Sequence, residues 1–380
     1  MATATKVLLL GPAPPFRGGI ADTQLQLALA LQEQNRNVSL ATFTHLYPKL
    51  FFPGKTQYRQ DAASREVETK RIVHAYNPFQ WAQAAEEIKK IDPDILLFRY
   101  YTPFLAPAYI QIARKLKNIK KMALVDNWWP HERKPWDAVL NRQFGKQMEG
   151  LATLSELVGD QILASGISKP LWKGFHPIAN DLPPLLSQKE ARNALNWPQE
   201  SPIVLFYGLI RPYKGLDLLL KAFAEPALKN TTIKLAVVGE SYENFSKYKL
   251  LIHKLGLEDS VLLDLNFADS NKTQQVFSAC NLVAQTYHTA TQSGVTPLAY
   301  HFEKPILASD IPGLREPIVK DQTGILIQKT PAAIAEGVLK LLYNQEFKVA
   351  QLNLKLQQEN YRWTAFAKNL LDFMESSKMS

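Results

Sequence analysis

The sequence predicts an α/β protein made of two doubly wound, parallel-sheet domains, and three observations carry that prediction. At 380 residues the chain is longer than one hydrophobic core normally serves. In the second half, the apolar run from Pro202 to Tyr207 stops at Gly208, a short loop follows, and apolar residues return at helical spacing as Leu216, Leu219, Leu220 and Phe223. The N-terminus has the same order: a strand over Lys6–Leu10, a loop from Pro12 to Gly19, then a helix from about Ala21 to Gln34.

Bulk composition narrows the function classes. Hydrophobic residues make up 46% and charged residues 21%, the balance of an ordinary soluble domain. No apolar run approaches the roughly 20 residues of a membrane helix, and the short Lys6–Gly11 run, followed by a Pro/Gly loop, is no signal peptide. The single cysteine, Cys280, excludes an internal disulfide and fits a reducing cytosol, so a cytoplasmic location is expected. The net charge of +9 (44 basic against 35 acidic residues) points to anionic company. No nucleic-acid module is visible, which leaves phosphorylated substrates and peripheral contact with the inner membrane face. The densest basic cluster, Arg114, Lys115, Lys117, Lys120 and Lys121, reads equally well as a solvated helix end or as a membrane-facing patch.

The remaining elements follow in order. A second strand begins at Asn37, and Tyr47 to Arg71 is polar, irregular and studded with aromatics, as a loop region on an acceptor side would be. A helix is predicted over Phe79–Lys90 and a strand over Ile95–Phe98. The Asp92-Pro-Asp94 pair before that strand is not read as a metal site, because ligand sites in open α/β sheets lie beyond the carboxyl ends of strands. The strand Lys121–Asp126 does end in dense chemistry, with Asp126, Asn127, Trp128, Trp129, His131, Glu132 and Arg133. Trp128 and Trp129 fit either stacking on a sugar or wedging into the core. A helix over Trp136–Met148 and a strand over Gly150–Ser155 precede a Pro/Gly/Asn-rich linker from Lys173 to Pro184. After a helix at Ser187–Asn196, strand–helix units repeat, with strands at Ile233–Val238, Ser260–Asp264, Asn281–Thr286 and Ile306–Asp310, the last followed by a turn at Pro312–Glu316.

Two stretches carry the chemistry. The loop after Gly208 holds Arg211 and Lys214, and a cationic loop between a strand and a helix start is a layout that binds phosphate. Small hydroxyl residues surround Gly294 at another helix start, with Thr291, Ser293 and Thr296 able to donate to phosphate or sugar oxygens. Gly18 and Gly19 let backbone approach a ligand at the first helix, yet they form neither the Gly-x-Gly-x-x-Gly fingerprint nor a Walker loop. A nicotinamide dehydrogenase is therefore disfavoured.

The stretch from Phe206 to Gly215 resembles the Gly-x-x-x-x-x-Lys-Gly signature of retaining glycosyltransferase family 4, of the GT-B fold, and the resemblance extends over nearly the whole chain. It implies two Rossmann-like domains facing each other across a cleft: residues 1–175 on the acceptor side, 176–358 as the nucleotide-sugar domain, and 359–380 as a closing helix that returns to the first domain. It implies that Lys214 and an Arg hold the donor diphosphate; the family's Arg slot is Leu209 here, and Arg211 is the nearest substitute. Gly18 and Gly19 match a loop that approaches the diphosphate from the opposite domain. The strand ending at Gly239-Glu240 matches one beside the nucleotide base. Asp126 occupies a slot where the family often has a His near the reacting sugar, with His131 five residues on.

The family's Glu-x7-Glu element is the departure. Its carboxylates align with Ala290 or Thr291 and with Leu298 or Ala299, within a segment where Thr291, Ser293, Gly294, Val295 and Thr296 remain to contact the donor. The implied activity is transfer of a sugar from a nucleotide-diphosphate sugar to a glycan or lipid-linked saccharide with retention, without metal or further cofactor. The alternatives are a non-catalytic nucleotide-sugar binder and an epimerase of the same fold.

Overall fold

The computed structural model describes residues 5–47, 58, 67–130, 133–241 and 243–377. Contacts divide the chain into two compact units, residues 1–179 with 362–380, and residues 180–361.

The first unit is a seven-stranded parallel sheet: β1 (Lys6–Leu10), β2 (Asn37–His45), β3 (Thr69–His74), β4 (Ile95–Tyr100), β5 (Lys120–Val125), β6 (Gly150–Thr153) and β7 (Leu171–Lys173). They lie in the order β3-β2-β1-β4-β5-β6-β7. Its helices are α1 (Gly19–Glu33), α2 (Pro78–Ile91), α3 (Ala106–Lys115), α4 (Asp137–Lys146) and α5 (Glu156–Ala164). Successive side chains of a strand point to opposite faces, and because both faces are covered Val7 to Leu10 of β1 are all apolar and buried. Val7 and Leu9 enter one core with Leu27 and Leu31 of α1, while Leu8 and Leu10 enter the other with Ala84, Tyr109 and Phe144 of α2, α3 and α4.

In the second unit, α6 (Gln188–Leu195) opens on a capping box in which Ser187 and Glu190 satisfy each other's amides. Six parallel strands follow, β8 (Ile203–Tyr207), β9 (Lys234–Val238), β10 (Val261–Asp264), β11 (Leu282–Gln285), β12 (Ile306–Ser309) and β13 (Gly324–Ile327), in the order β10-β9-β8-β11-β12-β13. The helices between and after them are α7 (Leu216–Phe223), α8 (Pro226–Lys229), α9 (Ser246–Leu255), α10 (Ser270–Ala279), α11 (Val295–His301), α12 (Pro312–Asp321), α13 (Pro331–Tyr343) and α14 (Gln345–Gln357). Strand order reverses between β8 and β11, so the loops after these two strands flank the switch point where open α/β sheets bind ligands.

The last helix, α15 (Trp363–Ser376), packs in the first unit. Trp363, Phe366, Leu370 and Met374 join the core that holds Val7 and Leu9. Beside it, Ile178 bridges in parallel to Arg362 within the same unit. Among the described residues no helix is long and apolar enough to cross a membrane.

Of three segments that the sequence singled out, one differs in the structure. Most of Tyr47–Arg71 lies outside the described residues, but its end starts β3 at Thr69. Pro312 to Glu316 is not a turn: it is the first half of α12, because Pro at the first helical position costs no hydrogen bond. Asp92 and Asp94 have local roles, Asp92 in a left-handed cap ending α2 and Asp94 accepting from the Lys6 amide at 2.7 Å.

Candidate functional site

The second unit gathers most of the sequence-derived residues at one end of its sheet. Gly208 follows β8 with φ of +94°, and its amide donates to the Val238 carbonyl. A β-carbon on Gly239 would lie 2.3 Å from the Gly208 carbonyl oxygen, so only glycine lets the two strand ends close up there. Ile210 then donates to the Glu240 carbonyl, which draws half-buried Glu240 alongside the cationic loop.

That loop folds as a single 3₁₀ turn, Pro212–Lys214, started by Arg211 and ended by Gly215 in the left-handed region. It is zipped to the loop after β11. Thr286 Oγ1 donates to the Gly215 carbonyl at 3.0 Å, and the His288 amide donates to the Tyr213 carbonyl at 2.7 Å. The zipper drives Lys214 inward while Arg211 stays exposed.

Lys214 is 8% exposed. Its ammonium donates a long bond, 3.4 Å, to the Tyr207 carbonyl and stands 5.7 Å from the centre of the Tyr287 ring. Among the described residues, no carboxylate pairs with it. Burial, and secondarily the nearby Arg211 guanidinium, push its pKa down to about 8. A β-carbon on Gly208 would meet this ammonium at 2.9 Å and a Val295 methyl at 3.9 Å, so Gly208, Lys214 and the start of α11 converge on one point.

At the start of α11, Ser293 is a hub. Its Oγ accepts from the Val295 amide at 3.2 Å and shares a 3.2 Å hydrogen bond with the buried Tyr287 hydroxyl. The Thr296 hydroxyl is held between both side-chain atoms of Gln285. Two of the amides at this helix start are thus satisfied locally, since Thr296 donates to the Ser293 carbonyl. Gly294 itself is exposed with open space around it, and Thr291 is half-buried. The positions aligned with the absent carboxylates are a half-buried Ala290 and Leu298 and a buried Ala299.

In the first unit, Gly18 caps α1 with φ of +115°, and neither Gly18 nor Gly19 has a neighbour near its missing side chain. Asp126 ends β5 in a buried ion pair: Arg99 Nε and Nη2 each donate to one of its oxygens at 2.6 Å. Arg99 also donates to Thr23 Oγ1 of α1, tying β4, β5 and the helix after the glycine loop together. His131 lies outside the described residues. Trp128 is core, fully buried against Tyr100, whereas Trp129 is half-buried beneath the Arg133 guanidinium.

Sequence reasoning missed Arg99, Gln285 and Tyr287. Arg99 gave a signal: a cation continuing the apolar run Ile95–Phe98 needs a buried partner. Gln285 and Tyr287 gave none, since both read as ordinary strand-end residues.

Comparison with known proteins follows this geometry. Residues 187–363 match the family described as Glycosyl transferases group 1. Two curated relatives are D-inositol 3-phosphate glycosyltransferases, from Gordonia bronchialis (29% identical over 183 residues) and Xylanimonas cellulosilytica (26% over 196). The matching stretches span 46% and 50% of this chain but only 40% and 47% of those relatives. Among solved structures, Anabaena HepE in complex with UDP aligns with a TM-score of 0.73 and 15% identity over 98% of this chain and all of that one. A glycosyltransferase from Rickettsia africae aligns with a TM-score of 0.73 and 18% identity over the whole of both chains. The chain therefore has the GT-B fold, and its residues 187–363 are similar to the group 1 glycosyl transferases.

Proposed function

We propose that the protein transfers a sugar from a nucleotide-diphosphate sugar to an acceptor hydroxyl with retention of configuration. The observation that carries this reading is the buried ammonium of Lys214. A lysine removed from water without a carboxylate partner is costly, and the cost is offset when an anion arrives. The diphosphate of such a donor supplies that anion, and the UDP complex of the similarly folded Anabaena protein supports the choice.

In the reaction, the bond between the anomeric carbon and the diphosphate oxygen breaks and a bond from that carbon to the acceptor oxygen forms. Negative charge grows on the departing diphosphate, and the acceptor hydroxyl, attacking from the same face, passes its proton to the diphosphate oxygen that leaves. Lys214, with Arg211 at the loop's start, stabilises that charge in place of a metal ion. Gly208 keeps the space beside the ammonium open, and Val295 at the start of α11 borders it. With both oxygens engaged by Arg99, Asp126 is a poor base, and we assign it the task of holding the strand end and α1 in place. Acceptor class, metal independence and a cytoplasmic setting with peripheral membrane contact belong to the same proposal.

Replacing Lys214 by Ala tests it. Turnover of a panel of nucleotide-sugars is expected to fall by about 10²- to 10³-fold, and unchanged turnover of every donor that the wild type uses would refute the role. The lack of a carboxylate at Ala290, Thr291, Leu298 or Ala299 favours a second reading, a nucleotide-sugar binder without chemistry. That reading predicts calorimetric binding with no donor consumed at any acceptor.

A further inference from the structure

A groove in the first unit is unaccounted for by the donor site. It has a volume of about 430 Å³ and opens where the segments after β3, β4 and β5 meet the starts of α2, α3 and α4. Trp136 stands 57% exposed along it, with Tyr76 and Phe104 at 40% and 39%. Pro103, Pro107 and Pro130 form stiff parts of the wall.

We propose that this groove binds a saccharide through the face of a pyranose ring stacked on Trp136. The pyranose has an apolar face of C–H groups and a rim of hydroxyls, so it needs an aromatic plane bordered by polar atoms. The groove offers both. The Lys134 ammonium lies 5.6 Å from the Trp136 ring centre, and Thr102 and Asp137 add a hydroxyl and a carboxylate to the lining. An alkyl chain would gain nothing from those charged groups and would leave them poorly solvated. Nor do the aromatics join a basic membrane-facing patch. Arg114 and Lys115 end α3, ten residues along the helix from Phe104, and Lys117 and Lys120 enter the opposite edge of the sheet.

The inference deepens the sugar-transfer reading by naming the acceptor's chemistry, but binding is measured without any donor, so the two fail separately. Wild-type protein and the Trp136→Ala and Trp136→Phe variants are titrated with a panel of pyranose di- to tetrasaccharides, and separately with vesicles containing anionic lipid. Thermal unfolding of each variant, with and without UDP, checks that the fold is kept. The expected result is saccharide binding by the wild type, at least tenfold weaker in Trp136→Ala and largely restored in Trp136→Phe. Equal binding by all three proteins, no retained saccharide in the panel, or loss of vesicle binding alone would each overturn the proposal.

Discussion

A side-chain carbon on Gly208 would stand 2.9 Å from the ammonium of Lys214. The glycine that ends β8 and the lysine six residues later are therefore one device: backbone opened by +94° of φ makes room for a cation that the chain then buries.

Gly208→Ala should act on the donor rather than on the fold as a whole. The added methyl displaces the ammonium and adds left-handed strain, which costs on the order of 1 kcal/mol. The donor KM is expected to rise about tenfold or more. Initial-rate kinetics with varied donor check it, and an unchanged KM would mean that Lys214 does not reach the ligand from where it lies.

Lys214→Met should separate stability from activity. Removing a buried, unpaired cation while keeping the apolar stem is expected to stabilise the free protein by about 1–3 kcal/mol in urea unfolding. The same variant should lose donor turnover. A variant that is both less stable and inactive would instead point to a structural lysine.

The pH dependence follows from the depressed pKa of Lys214, about 8 in the folded chain against 10.5 for a free lysine. Between those values the unfolded chain binds more protons, so this lysine's contribution makes stability rise with pH across that window. Below pH 8 its full penalty, roughly 3 kcal/mol, is present. Diphosphate affinity should do the opposite, staying level below pH 8 and weakening above it as the proton leaves. Unfolding and nucleotide-diphosphate titrations at several pH values, on wild type and Lys214→Met, test both slopes.

Asp126→Ala should unfold the first unit more readily, by about 3–5 kcal/mol, because Arg99 is left buried at 1% exposure without its counter-charge. The double replacement Arg99→Met with Asp126→Leu should recover much of that loss. If Asp126 acts chiefly as a base, Asp126→Ala instead keeps its unfolding midpoint and loses only turnover.

The cationic loop could be read from sequence because each of its parts is local. An apolar run, a glycine, two cations and a helical repeat lie within Pro202–Phe223, and the fold adds only the inward turn of Lys214. The ion pair of Arg99 and Asp126 could not be, since it joins the ends of neighbouring strands across 27 residues. α12 was obscured by Pro312 and Gly313, which imitate a turn. In the structure Pro312 starts the helix, and Gly313 is small because a β-carbon would lie 2.2 Å from the Ala290 carbonyl. α3 was hidden by Pro107 near its start, and its basic end drew attention as charge rather than as the close of a buried helix.

The return of α15 to the first unit sets an order of assembly during synthesis. The sheet face carrying Val7 and Leu9 is made first and partly covered by α1, yet its core is completed only by Trp363, Phe366 and Leu370, which are translated after the whole of the second unit. Residues 180–361 form an uninterrupted stretch and can complete their own core beforehand. The first unit's core is thus completed only after the second unit has been translated, and until then the part of its sheet face that α15 covers stays exposed on the nascent chain.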